Sequence, residues 1–248
     1  DLTLDSLAKN EATLSNIRLW DWRPLSTTYS QIQEIRPYYA FKDVDVDRYW
    51  IDDNYRQVTL AARELAVSQL PDTAKTWINE HLVYTHGMGL VISPVSEATP
   101  EGLPDPYVKD IPPVSKVNIK LDQPQLYFGE EDLGYAILKT KTKEFDYPKG
   151  DQNVYTVYHG TGGISLSSFA RKALFAERFG TLKLLLSAAI TSQSRIMFRR
   201  NIAERVKAIA PFLSYDSDPY PVVLNGKIYW AIDAYTRSDN YPYSQPFN

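Results

Sequence analysis

Three kinds of side chain in this sequence could carry chemistry, and the first is imidazole. Of its three histidines, His159 opens the run His159-Gly160-Thr161-Gly162-Gly163, a glycine-rich loop of the kind that cradles an oxyanion in some esterases. Joined by the carboxylates of Asp216 and Asp218, His159 would give a hydrolase a base and an acid. The companion Gly-x-Ser-x-Gly elbow is absent, as are HExxH and both glycine-rich nucleotide motifs, so the glycines read first as a turn before a helix. His81 and His86 straddle an expected change from helix to strand and read as structural.

Carboxylates come next. Asp43, Asp45 and Asp47 alternate along one stretch, and a hard cation such as calcium takes oxygen ligands. On a strand, alternate residues stand about 6.6 Å apart, too far for all three to reach one ion unless the backbone curls. An EF-hand loop would need Gly at its sixth position and a carboxylate at its twelfth, where Arg48 and Asn54 stand. The spacing therefore predicts solvated or arginine-paired carboxylates, no metal site and no cofactor.

The third group is cationic. Residues 169–210 hold nine Lys/Arg against two Glu in a chain whose formal net charge is −3. A helix from Thr191 to Ala210 would present Phe198, Ile202, Val206 and Ile209 on one face, with Arg195 and Arg205 within about 60° of its centre. Those two arginines are expected to be partly buried in ion pairs, with Asp216, Asp218 and Asp233 as nearby partners. Arg199, Arg200 and Lys207 fall outside that face and are the candidates for contact with an anionic surface such as phospholipid headgroups.

The elements that must position these groups follow from periodicity. Leu25, Tyr29, Ile32 and Ile35 keep helical spacing up to Pro37. Val44, Val46 and Trp50 alternate with the aspartates as a strand with one wet face, and a three-residue turn at Asp52-Asp53-Asn54 would set Val46 opposite Leu60 and Asp43 opposite Arg63 in an ion pair. Pro71, Ala74, Trp77, Ile78 and Leu82 suggest a second helix, followed by a strand over 82–93. Six prolines between 94 and 113 bar regular structure throughout. They divide the chain into parts 1–94 and 115–248 joined by a connector, 95–114, or else wrap a single domain. Strand-like runs at 116–121, 125–128 and 135–142 precede a helix capped by Ser168 and stopped at Gly180. Val222 to Leu224, Asn225-Gly226 and Ile228 to Ile232 spell a tight hairpin. Strands and helices do not alternate regularly, so the expected class is α+β, mostly antiparallel sheet with several packed helices.

The 248 residues, 44% apolar and 13% aromatic, suffice for a sizeable core, and the longest uncharged apolar stretch, 184–190, falls far short of the roughly 20 residues a membrane-spanning helix needs. A pI near 5.7 argues against nucleic acid as a partner. Zero cysteines exclude disulfides and thiolate chemistry. The start at Asp1, without Met or a secretory signal, reads as a cut or processed end.

The blocks Asn16-Ile17-Arg18-Leu19-Trp20-Asp21, Asp43-Val44-Asp45-Val46-Asp47-Arg48-Tyr49 and His81-Leu82-Val83-Tyr84-Thr85-His86-Gly87 resemble uncharacterised protein family 0182. So do Glu101-Gly102-Leu103-Pro104, Lys109-Asp110-Ile111-Pro112-Pro113, Glu144-Phe145-Asp146-Tyr147-Pro148, Arg199-Arg200-Asn201-Ile202, Ala210-Pro211-Phe212-Leu213 and Tyr215-Asp216-Ser217-Asp218-Pro219-Tyr220. The resemblance implies a piece of the soluble extracytoplasmic region of a multi-pass bacterial membrane protein, with the rest of that protein as its partner. It transfers no catalytic residue. The expected role is a non-catalytic binding or assembly module, with the His159 hydrolase as the alternative.

Overall fold

Strand β3 (Asn54–Leu65) is buried without interruption from Gln57 onward, so both of its faces need cover. The computed structural model describes residues 3–33 and 35–237. Short helices α1 (Leu4–Ala8) and α2 (Glu11–Leu14) lead into α3 (Trp22–Gln33). Leu25 and Tyr29 of α3 cover one face of the sheet, against Phe41, Val44, Ala61 and Val91. The other face carries Val58, Leu60 and Ala62 against Leu90, Ile92 and Val108. Strands β1 (Tyr39–Phe41) and β2 (Asp45–Ile51) flank β3, β5 (Leu90–Pro94) pairs along it, and β6 (Val108–Lys109) and β7 (Val114–Ser115) extend the sheet. The proline-rich segment thus supplies strands to the same sheet as the residues before it, through Ile92 and Val108.

The β2–β3 hairpin differs from expectation by one residue. Its turn has two residues, Asp52 and Asp53, both at positive φ (46° and 65°), the backbone of a tight hairpin turn that aspartate tolerates. Ile51 therefore faces Asn54, Val46 faces Thr59 and Asp45 faces Leu60, while Arg63 pairs with Phe41 rather than Asp43. Because β3 is apolar on both faces, its sequence offers no alternation to choose between registers.

The helix expected from Pro71 is replaced by short 3₁₀ turns and one wide turn, Asn79–Val83. The long strand after it breaks into β4 (Gly87–Met88) and β5. At the break Gly89 has φ +68, and an added Cβ would run into the Pro113 ring. The run at 116–121 is irregular; those at 125–128 and 135–142 shrink to β8 (Gln125–Leu126), paired with β4, and β9 (Ala136–Leu138). Hairpin β10 (Glu144–Lys149) with β11 (Gln152–Thr156) was not foreseen. Next comes β12 (Ile164–Ser165), and α4 (Phe169–Arg178) forms as expected, with the Ser168 hydroxyl accepting from Arg171 N–H and Gly180 at φ +62. After α5 (Lys183–Leu186), the helix expected from Thr191 is a turn, then β13 (Arg195–Met197) between β12 and β9, then α6 (Ile202–Ile209) capped by Asn201. Apolar Ile196 and Met197 are more useful in the sheet than on a helix: both are buried there. The chain continues through β14 (Ser214–Tyr215), and the Asn225-Gly226 hairpin appears as read, joining β15 (Tyr220–Leu224) to β16 (Lys227–Ala231) before β17 (Ala234–Tyr235). Every pairing of named strands is antiparallel, and the class is α+β.

Arg63 on β3 is fully buried, and its guanidinium binds carbonyls instead of a carboxylate. It donates to Gln33 O at 2.8 Å, Met88 O at 3.0 Å, Asp110 O at 3.1 Å and Gln33 Oε1 at 3.2 Å, and it lies over the Phe41 ring. One side chain thereby ties the end of α3, strand β4 and the proline-rich loop to the central strand. Arg63→Met is expected to cost about 2–4 kcal/mol, since several buried carbonyls lose their donor together. Urea unfolding reads that loss, and Arg63→Lys recovers little of it because one ammonium cannot span the fork. A Met variant as stable as the parent protein would contradict this role.

Candidate functional site

Where β4, β8 and β10 approach one another, a ring of polar groups is closed inside the protein. Arg200 is buried and donates to Tyr127 O at 2.8 Å, to Leu133 O at 3.1 Å and to Thr85 O. Thr85 and Tyr127 in turn donate their hydroxyls to Glu144 Oε2, at 2.7 and 2.9 Å, and Tyr158 N–H donates to Glu144 Oε1. Guanidinium and carboxylate thus face each other through two residues, each contributing a carbonyl to one and a hydroxyl to the other. Burial lowers Arg200 to a pKa of about 10, and burial raises that of Glu144 against the pull of its donors.

Two further polar residues adjoin the ring. A bulge in β10 falls between Phe145 and Tyr147, and the extra residue, Asp146, is turned inward, the usual way a bulge re-aims a side chain. Asp146 Oδ1 accepts from Gln125 Nε2 at 3.1 Å and lies 3.8 Å from Nε2 of the fully buried His86. Desolvation drops the His86 pKa to about 4, so the ring is neutral at physiological pH. Gln125 and Tyr127 separate His86 and Asp146 from a cavity of about 420 Å³ that they line together with Tyr158 and His159.

A second cavity, of about 540 Å³, is acidic: Asp43, Asp45, Asp47 and Asp218 line it with Arg18 and Tyr220. Burial, then Asp218 and Asp43, push Asp45 up to about 7. Glu130 rises to about 8, first through burial and then through Glu64, Asp45, Asp43 and Asp218. Glu64 is held beside it by the backbone N–H groups of Glu130 and Glu131. Among the described residues no group of three or more His, Cys, Asp or Glu is placed to hold a metal ion.

The residues singled out in the sequence are therefore distributed over several places. His159 is exposed on the rim of the first cavity, while Asp218 lines the second; Asp216 is exposed beside it, its N–H bonded to Asp233 O. Arg199 and Lys207 are at the surface. Arg200 is not: β13 replaces the expected helix, and the side chain turns into the core. Of the four residues expected in ion pairs, none makes one among the described residues. Arg195 donates to Gly162 O and Gly163 O, Arg205 lies over the Phe128 ring, Arg63 holds carbonyls, and Asp43 accepts from the Val44 N–H. Thr85, Tyr127, Glu144 and Asp146 escaped the sequence reading as site residues. Their signal was polar side chains within strand-like runs, Thr85-His86 before Gly87 and Glu144-Phe145-Asp146-Tyr147.

Fold and sites together define an α+β protein with a buried polar ring and two open cavities. The chain belongs to the uncharacterised protein family UPF0182, whose model matches residues 1–248. It is 56% identical over 248 residues to a UPF0182 protein of Desulforamulus reducens, covering all of this chain and 27% of that protein. With a UPF0182 protein of Pelotomaculum thermopropionicum it shares 51% identity over 247 residues, covering all of this chain and 27% of the relative. With one of Bradyrhizobium diazoefficiens the figures are 52% over 245 residues, 99% and 26%. The chain thus spans about a quarter of the length of the curated relatives it matches. No solved structure matches it.

Asp45 and Glu130 hold protons more tightly folded than unfolded, so the native state binds more protons between about pH 4 and pH 8 and stability falls as pH rises through that window. In the double variant Asp45→Asn/Glu130→Gln that fall is removed. Its Tm is expected to exceed the parent's at about pH 8 and to converge with it near pH 4, as read by thermal melts across pH. A constant offset at every pH would contradict the assignment.

Proposed function

We propose that this chain is a non-catalytic assembly module of a longer bacterial protein anchored in the cell membrane, with the module on its extracytoplasmic side. The observation that carries this reading is an uncovered apolar groove of about 390 Å³ formed by Trp77, Ile78, Lys183 and Leu186. Leu186 is 78% exposed, and Leu182, one turn earlier on the same side, is 68% exposed. Large apolar side chains exposed together at a groove mark a contact surface. Its occupant is another segment of the parent protein, because about three quarters of the relatives' length lies outside this chain. Exposed Arg171, Lys183, Arg199 and Lys207 nearby in sequence suit an acidic segment. No helix of the described residues is long and apolar enough to cross a membrane, so the anchor in this reading belongs to the remainder of the parent. The hydrolase alternative gains no support from residues that line separate cavities.

Hydrogen exchange on the full-length relative and on this chain alone tests the reading. Residues 182–187 are expected to exchange slowly in the full-length protein and quickly in isolation, and Ile78→Asp/Leu186→Asp to abolish the difference while leaving the isolated chain's stability within about 0.5 kcal/mol. Equal exchange in both contexts would overturn the docking surface, as would flotation of the isolated chain on anionic vesicles that the same substitutions abolish. A parent sequence without spanning helices would overturn the membrane anchor.

A further inference from the structure

A further cavity, of about 320 Å³, opens where the chain turns from β13 into α6, and it shares no residue with the Trp77 groove. At the corner between those elements Arg199 has φ at 49°, a left-handed backbone that is uncommon for a residue with a side chain. Around it consecutive side chains part: Arg200 is buried in the core, while Phe198 and Arg199 line the cavity. Ile164 of β12 and Met197 of β13 are in the same wall. From α6 come Arg205 and Ile209, four residues apart and so on one face of the helix. The Phe128 ring completes the wall, its centroid 4.5 Å from the Arg205 guanidinium carbon.

The two arginines are the polar side chains of this wall, and every other side chain in it is apolar. Their charges are unanswered. Arg63, Arg195 and Arg200 each collect backbone carbonyls, but among the described residues Arg199 and Arg205 make no ion pair. The guanidinium of Arg205 has the face of Phe128 instead.

We propose that this cavity binds an acyl carboxylate, its anionic head held by Arg199 and Arg205 and its hydrocarbon chain by Ile164, Met197, Phe198 and Ile209. A guanidinium fork matches the two oxygens of a carboxylate, and no hydroxyl or amide side chain is in the wall to serve the further oxygen of a phosphate. The same lack excludes sugars and nucleobases, whose donors and acceptors would go unmet. A peptide segment meets the same obstacle, since its N–H and C=O groups need partners too. An organic cation is repelled by both arginines, and a neutral hydrocarbon leaves them unpaired. Ile209 and Ile164, 71% and 41% exposed, supply apolar surface that the acyl chain removes from water. A volume of about 320 Å³ is at the small end of ligand cavities, which favours a short free acid over a two-chain lipid. Binding here neither requires nor prevents docking at the Trp77 groove.

Isothermal titration of the 248-residue chain with octanoate tests the site, with 1-octanol, octylamine, octyl phosphate and acetate as comparators. Octanoate is expected to bind at one site with a dissociation constant below about 1 mM, and more tightly than any comparator. Arg199→Asn/Arg205→Gln removes both charges while keeping at position 199 a residue that tolerates positive φ; it is expected to weaken octanoate about tenfold or more. Ala208→Trp, on the same wall, keeps both arginines and fills the space, and is expected to weaken octanoate as much. None of the three positions is buried, so circular dichroism is expected to stay native in both variants. The site is overturned if octanoate shows no saturable binding below that limit, if binding survives either variant, or if a comparator binds as tightly. Sedimentation of the chain with phosphatidylglycerol vesicles that Arg199→Asn/Arg205→Gln abolishes would also overturn it, by giving the two arginines to a lipid surface.

Discussion

A guanidinium shut away from water must find its partners within the protein, and each nitrogen of Arg200 finds one, in the carbonyls of Tyr127, Leu133 and Thr85. Its charge needs an answer too. That answer is Glu144, which makes no direct ion pair with it and is connected through the hydroxyls of Thr85 and Tyr127. A pair arranged in this way is buried at high cost unless every bond is made. The arrangement therefore fixes β4, β8, β10 and the segment after β13 relative to one another far more sharply than their short ladders could.

The same solution recurs at Arg63, and together the two arginines explain how the briefest strands of two separate sheets are held. β4, β6, β7 and β8 have two residues each, too few for hydrogen-bonded ladders to define a position alone. Side chains that collect carbonyls from several elements supply the missing specification. The cavity lined by Tyr127 and Tyr158 adjoins this construction. The bulge that brings Asp146 inward and the glycine loop that packs on Tyr158 both sit at the border of the Arg200 ring, so the open space beside it is bounded by groups already fixed in position.

Local signals were legible where a few residues determine the geometry. Ser168 and Gly180 bracket α4, and Asn225-Gly226 makes its hairpin, because capping and positive φ are decided by the residues themselves. Fold class was legible for a related reason, the irregular order of helix-like and strand-like runs. The stretch from Thr191 was misread because Phe198, Ile202, Val206 and Ile209 do keep helical spacing, yet tertiary pairing of Ile196 with Ile137 and Ile164 takes its first half into a sheet. That one substitution of strand for helix moved Arg200 from the expected surface to the core. The ion pairs anticipated for Arg63, Arg195 and Arg205 failed for a physical reason as well: carbonyl oxygens and aromatic faces can serve a guanidinium, and no sequence pattern marks them. The polar ring was hidden because its members come from residues 85, 127, 144 and 200, and only their three-dimensional meeting gives them a role.

A double-mutant cycle on Arg200→Met and Glu144→Gln, measured by urea unfolding, probes the charge balance at the centre of this structure. Each single change strands a buried charge, whereas the double change removes both. The double variant is expected to be more stable than the two separate losses would imply, by about 1–3 kcal/mol. Losses that add to within about 0.5 kcal/mol would mean that the two groups do not answer one another, and the ring would then be a set of independent hydrogen bonds.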